Sequence, residues 1–260
     1  MTADNKIIIQ IYEIQTPDEA EAMIELGVDH VGSVVLPEMG RKNPDLVETM
    51  RLVEDSPAKS CLIPLFADSD RISLAIDDCR PDIVHLCDAV TGGPGDWERA
   101  CGYMISVQAT IRERFPGVLI MRTIPIPPEG IKSPVPVMEL ARYFEPLSDF
   151  FLADTVLPVD CGPQSGAQPV NGFVGITGKT CDRNTAKRLV ENAAIPVILA
   201  GGLHGGNVYS AVKAIGPAGV DSCTLTNEMD LRGMPVRFKK DRSRVARFVS
   251  EAGRAAVMAL

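Results

Sequence analysis

The chain lacks any run of about 18 apolar residues, so no part of it has the length of a membrane-spanning helix. Its early apolar run, Ile7–Ile11, is interrupted by Gln10 and ends at Glu13, too short for a signal peptide. An excess of basic charge is missing as well. The chain has 26 Lys and Arg against 34 Asp and Glu, a net charge of −8, which excludes a general electrostatic affinity for nucleic acid or anionic lipid. Cysteine pairing motifs are absent. The seven cysteines, at 61, 79, 87, 101, 161, 181 and 223, are odd in number and none has CxxC spacing. This favours a reduced, cytoplasmic protein without a zinc site. His30 and His204 show no ligand spacing with each other or with carboxylates, and no metal is expected. Hydrophobic residues make up 45% and charged residues 23% of 260 positions. That composition is incompatible with disorder and supports a full core in a single domain spanning 1–260.

Short apolar runs alternate with segments of helical period. The runs Ile7–Tyr12, Asp29–Leu36, Ser60–Phe66, Asp82–Asp88, Val118–Thr123, Asp149–Asp154, Ile195–Ala200 and Gly219–Thr224 are rich in Val, Ile and Leu and read as buried strands. Helices are expected between them, starting near Thr16-Pro17, Asn43-Pro44, Ser69, Asp96, Ser133-Pro134, Asp182, Gly206 and Lys239. Eight alternating units in this length predict an α/β fold, a (β/α)₈ TIM barrel. An open dinucleotide-binding sheet would place GxGxxG after the first strand. That turn reads Tyr12-Glu-Ile-Gln-Thr16, without glycine, and no dinucleotide or other cofactor is expected. Two long segments, Pro125–Pro134 and Leu157–Ile176, follow strands and belong to the carboxyl-terminal face, as ordinary insertions or as parts of an active site.

Three glycine-rich strand ends point to a phosphate. Gly175-Ile-Thr-Gly178-Lys179-Thr180 precedes a helix but is not a Walker loop, since Phe173 stands where its first glycine belongs. Pro196–Leu203 runs into Gly201-Gly202, and Gly219–Glu228 carries Ser222 and Thr224. In a barrel the last two strand ends form the usual phosphate site, here Gly178, Lys179, Gly201, Gly202, Ser222 and Thr224.

Gly-Lys-Thr-x-Asp over 178–182, Pro-Val-Ile-Leu-Ala-Gly-Gly-Leu over 196–203 with Asn207 after it, and Gly-Val-Asp-Ser over 219–222 together resemble the carboxyl-terminal signature of the phosphoribosylanthranilate isomerase family. Ile14–Ala20, Leu26–Gly32 and Ile83–Leu86 are similar to that family's first helix, second strand and fourth strand. The resemblance implies an Amadori rearrangement of a phosphorylated aldose amine, in tryptophan biosynthesis. A general acid near the ring oxygen and a general base near C2 are needed. It implies Asp154, at the end of the sixth strand, as the acid and Arg41 as the grip on the substrate carboxylate. Tyr12 stands where the family has its catalytic cysteine. Glu13 replaces a glycine and is the alternative base, although strand alternation turns it away from the side Tyr12 faces. The glycine of the strand-eight loop is replaced by Cys223-Thr224, and a glycine doublet is reduced to Gly175-Ile176.

Asp68, His85, Asp88 and Arg122 lie in or after strands three to five, where a barrel directs strand-end groups into one pocket. His85 and Arg122 are therefore candidate substrate-binding residues, with a hydrogen-bonded core histidine the blander reading for His85. The basic stretch Arg237–Arg247 reads as a solvated face of the last helix, with Val245, Phe248 and Val249 turned inward. The expected partner is a small phosphorylated metabolite, and the expected state is monomer or homodimer. A phosphate-binding barrel with a different isomerase, epimerase or lyase reaction, or without catalysis, is the alternative.

Overall fold

The first helix begins where its cap begins. Thr16 accepts a hydrogen bond from the Glu19 amide, and the Glu19 carboxylate accepts from the Gln15 amide, so one donor on each side of Pro17 is satisfied. Asn43, Asp68 and Asp182 cap later helices in the same way, through the amides of Asp45, Arg71 and Thr185. The computed structural model describes residues 6–37, 43–90, 97–131, 135–157 and 172–257. Its strands are β1 (Ile8–Ile11), β2 (His30–Val35), β3 (Lys59–Pro64), β4 (Ile83–Leu86), β5 (Leu119–Ile126), β6 (Phe150–Thr155), β7 (Val197–Leu199) and β8 (Gly219–Ser222). The helices are α1 (Pro17–Glu25), α2 (Pro44–Glu54), α3 (Ser69–Cys79), α4 (Trp97–Arg114), α5 (Val137–Phe144), α6 (Arg183–Asn192), α7 (Val208–Ile215) and α8 (Arg242–Val257). All eight strands pair in parallel, and β1 closes on β8 with Ile8 opposite Gly219 and Ser222 opposite Ile11. This is the (β/α)₈ barrel that the alternation predicts.

Side-chain alternation sorts the core into two layers. Ile9, Ile11, Val31, Ile124, Phe151, Leu199 and Val220 face outward and pack under Met23, Leu140, Phe144, Leu189 and Phe248 of the helices. Tyr12, Val34, Cys61, Ile63, Met121, Leu152 and Ile198 face inward and fill the lumen. Each fully buried large side chain contributes about 2–3 kcal/mol of transfer free energy, so the interior is a packed core and not a channel.

The carboxyl-terminal segment departs from expectation. The last helix was expected from Lys239, but it starts at Arg242, with Asp241 accepting from the amides of Ser243 and Arg244. Residues before it form an antiparallel hairpin, β9 (Asn227–Met229) with β10 (Pro235–Lys240), turning at Asp230–Gly233. The basic stretch is therefore split: Arg237 and Lys240 belong to a strand, and only the residues from Arg242 onward belong to a helix. Val245 and Phe248 are buried as expected, and Val249 packs at the edge of the core. The fifth helix starts at Val137, later than its expected start, and Ser133-Pro134 lie outside the described residues. No helix among the described residues is long and apolar enough to cross a membrane.

Candidate active site

At the carboxyl ends of the strands lies a small cavity of about 40 Å³, lined by Tyr12, Glu13, Ile63, His85, Asp154 and Asp221 among others. It adjoins a second recess, lined by Gly178, Gly201, Gly202, Leu203, Ser222 and Thr224, with Asp154, Ile176, Asp221 and Cys223 common to both.

The floor of the first cavity is a neutral hydrogen-bonded stack. The Tyr12 hydroxyl lies 2.7 Å from His85 Nδ1 and 3.1 Å from Cys61 Sγ, and His85 Nε2 lies 2.7 Å from Thr123 Oγ1. Gly32 makes room for the ring: a Cβ there would sit 1.9 Å from Tyr12 Cδ1. Burial pushes the Tyr12 phenol well above its usual value and drops His85 to about 3. Tyr12 is therefore no base near neutral pH, and both imidazole nitrogens of His85 are engaged within the protein. Below them, Gln10 bridges His30 and Asp221, accepting at 3.0 Å from the ring and donating at 3.3 Å to the carboxyl group.

Two carboxyl groups cross the boundary between cavity and recess. Asp154, at the end of β6, has its carboxyl pushed up to about 6 by burial, partly offset by the Thr155 amide that it accepts at 2.7 Å. Burial and the neighbouring Asp154 raise Asp221 well above the carboxylate range. Gly175 is fitted to Asp154, since a Cβ would stand 2.4 Å from Oδ2. Asp221 is a site residue that the glycine and hydroxyl pattern of the strand end does not point to; its inward parity on β8, opposite Gln10, is the signal that marks it.

Glu13 corrects the alternation argument. Its φ is +66°, a left-handed conformation that ends the strand and rotates the next side chain, so Tyr12 and Glu13 line the same cavity. The Glu13 carboxylate is 1% exposed, and its Oε1 lies 2.7 Å from Arg237 Nε and 2.6 Å from Arg237 Nη2. Lys240 donates to the Asn227 side chain and, at 2.9 Å, to the Cys223 carbonyl. Neither Arg237 nor Lys240 belongs to the solvated helix face that the basic stretch suggested.

The recess is built from main chain. A Cβ on Gly202, whose φ is +58°, would meet the Lys179 carbonyl carbon at 2.8 Å and the Gly178 oxygen at 2.9 Å, so only glycine lets the two loops touch. Thr155 Oγ1 donates to the Lys179 carbonyl at 2.6 Å, and Asn207 donates to the Gly202 carbonyl at 2.9 Å. Ser222 donates to the Leu203 carbonyl at 2.7 Å, and Thr224 opens a 3-10 turn over 224–226. Gly178, Gly201, Gly202, Ser222 and Thr224 are thus brought together; Lys179 supplies backbone beside them.

Arg122, Asp88 and Asp68 do not reach this mouth. Arg122 was expected to end its strand, but β5 runs to Ile126, which leaves Arg122 in mid-strand on the outward parity. It is 1% exposed beneath the helices, 2.7 Å from the Asp88 carboxylate, with its guanidinium 4.3 Å over the Phe144 ring. Asp88 is committed to that pair. Asp68 is the exposed cap of α3. Arg41 lies outside the described residues. Among the described residues no three His, Cys, Asp or Glu side chains converge as metal ligands.

No protein-family model matches the chain. The chain is 25% identical over 251 residues to N-(5'-phosphoribosyl)anthranilate isomerase 1 of Methanosarcina mazei, covering 95% of this chain and 94% of that one. It is 40% identical over 98 residues to the N-(5'-phosphoribosyl)anthranilate isomerase of Halorubrum lacusprofundi, covering 38% of this chain and 39% of that one. The phosphoribosyl anthranilate isomerase structure from Thermotoga maritima superposes with a TM-score of 0.65 at 19% identity, covering 95% of this chain and 98% of that one, a likeness of fold.

Proposed function

We propose that this protein is a phosphoribosylanthranilate isomerase-type enzyme that opens and rearranges a phosphorylated aldose amine, with Asp154 as general acid and Glu13 as general base. The observation that carries the proposal is the position of Asp154. It lies at a strand end between a cavity and a glycine-built recess, and burial raises its carboxyl to about 6. The recess takes the 5-phosphate on main-chain groups of the glycine loops and hydroxyls of Ser222 and Thr224, where the carboxyl ends of β7 and β8 meet.

In its acid form Asp154 gives a proton to the ring oxygen as the C1–O bond breaks, leaving a protonated imine. Glu13 takes the proton from C2, which yields the neutral enol-amine; a proton then adds at C1 as the enol hydroxyl loses its own, giving the 1-amino-2-ketose. Acid and base each supply about 10²–10⁴-fold. Tyr12 stands in the place of the family's cysteine and packs the cavity floor, so the base comes from the next residue. Arg41 is the proposed grip for the aglycone carboxylate.

The test is fluorescence-monitored turnover of phosphoribosylanthranilate by the purified protein. Loss of the anthranilate signal is expected, and it should be abolished in Asp154→Asn. A protein that binds ribose 5-phosphate but turns over no phosphoribosylanthranilate overturns the reading. That result favours a different phosphorylated substrate.

A further inference from the structure

The hairpin that follows β8 does more than connect the last strand to the last helix. Its β10 strand brings Arg237 to the barrel mouth, where two guanidinium nitrogens lie within 2.7 Å of one oxygen of Glu13. The arrangement is held on both sides by backbone in an unfavourable region. Glu13 has φ +66° and Phe238 has φ +60°, and neither is a glycine. Left-handed conformations in bulky residues persist where surrounding contacts over-determine them, and they cluster at functional sites. Phe238 packs against the luminal cluster, and the Arg237 guanidinium lies 4.6 Å over its ring, which fixes the plane of the fork. Lys240 ties the other end of the hairpin to Asn227 and the Cys223 carbonyl. The Asn227 amide stands 3.5 Å from the second Glu13 oxygen, Oε2, outside good hydrogen-bonding distance.

We infer that Arg237 is a positioning residue for the reaction proposed above: by holding Oε1 of Glu13 it fixes the carboxylate plane and leaves Oε2 turned to the cavity to receive the C2 proton. The inference rests on Glu13 being the base. One oxygen accepts from Arg237 Nε with Nη2 2.6 Å away, while the Asn227 amide, 3.5 Å from Oε2, and the Cys223 thiol stand beside the carboxylate. The hairpin thereby becomes part of the active site although it supplies no group that touches substrate.

Turnover of phosphoribosylanthranilate by wild type, Glu13→Gln, Arg237→Gln, the double variant and Arg237→Lys tests this. Arg237→Gln is expected to lower kcat about 10–100-fold, with KM held within about threefold, because the base is misplaced and the substrate contacts are kept. The double variant should be no slower than Glu13→Gln alone, since Arg237 acts only through that carboxylate. Arg237→Lys, which retains the charge and one donor, should recover kcat to within about tenfold of wild type and serves also if the glutamine variant does not fold. Wild-type turnover with additive losses in the double variant, or an Arg237→Lys enzyme as slow as Glu13→Gln, overturns the role of Arg237 alone. Absence of wild-type turnover overturns the underlying reading together with it.

Discussion

Asp154, the acid of the proposed reaction, is a residue whose buried carboxyl costs the fold stability. Its carboxyl titrates near 6 in the folded protein and at 3.8 as the ordinary reference. Between those values the folded state holds a proton that the unfolded chain has released. Stability therefore falls as pH rises through this window, and the full cost of about 3 kcal/mol is present above pH 6. Asp154→Asn should abolish turnover and raise unfolding free energy at pH 8 by about 1–3 kcal/mol, with the gain gone by pH 4. Urea titrations at the two pH values check this, and an equal effect at both would remove the buried carboxylate as its cause. In the wild type, kcat/KM should fall tenfold per unit above about pH 6, as the acid form is depleted. The placement of Asp154 at the mouth was legible in the sequence because inward parity at a strand end survives small errors in the strand's limits. Arg122 was not, because β5 extends three residues beyond the expected Thr123 and its parity places the guanidinium under the helices. Glu13 was misread for a different reason: alternation assumes extended backbone, and one left-handed residue defeats it.

At the scale of elements, the glycine loops and the hairpin divide the work at the mouth. The loops after β6 and β7 touch through Gly202, and a methyl group there would collide with backbone and not with a movable side chain. Gly202→Ala should weaken binding of inorganic phosphate or ribose 5-phosphate at least tenfold, measured calorimetrically, while the far side of the barrel keeps its fold. Undiminished affinity would place the phosphate elsewhere. That these loops meet could be read from sequence because glycine at a strand end marks a close backbone approach. The hairpin could not. A run with six basic residues and helical spacing resembles a solvated face, and only the opposing groups, Glu13 and Asn227, give Arg237 and Lys240 their roles. Ile176 shows the same limit. It keeps a φ of +60°, a conformation that no propensity for isoleucine would suggest.

For the whole molecule, the interior of the barrel is kept without net charge by opposing shifts. Burial lowers His30 to about 4 and His85 to about 3, so the unfolded chain gains protons below pH 6.5 that the folded one refuses. Asp154 and Asp221 do the reverse, holding protons when folded that are lost on unfolding. Between pH 4 and 6 the two histidines destabilise the fold as pH falls and the two carboxyl groups offset them. Asp221→Asn removes one of the offsets. Its unfolding free energy should drop about 1.4 kcal/mol more steeply per pH unit than wild type as pH falls through this range. Parallel acid titrations of the two proteins would not differ if Asp221 is ionised in the fold. The barrel itself was the most legible feature, since eight apolar runs with interposed helical periods admit few other closures. The polar stack inside it was hidden, because Tyr12, His85, Thr123 and Gln10 come from three different strands.

The inverted backbone at residue 13 sets two kinds of selection against each other. Glycine or asparagine occupies that quadrant at less cost than glutamate, by about 1 kcal/mol. A library randomised at this codon and screened only for survival of heating should drift to those residues. The same library grown under demand for the product should return the acid.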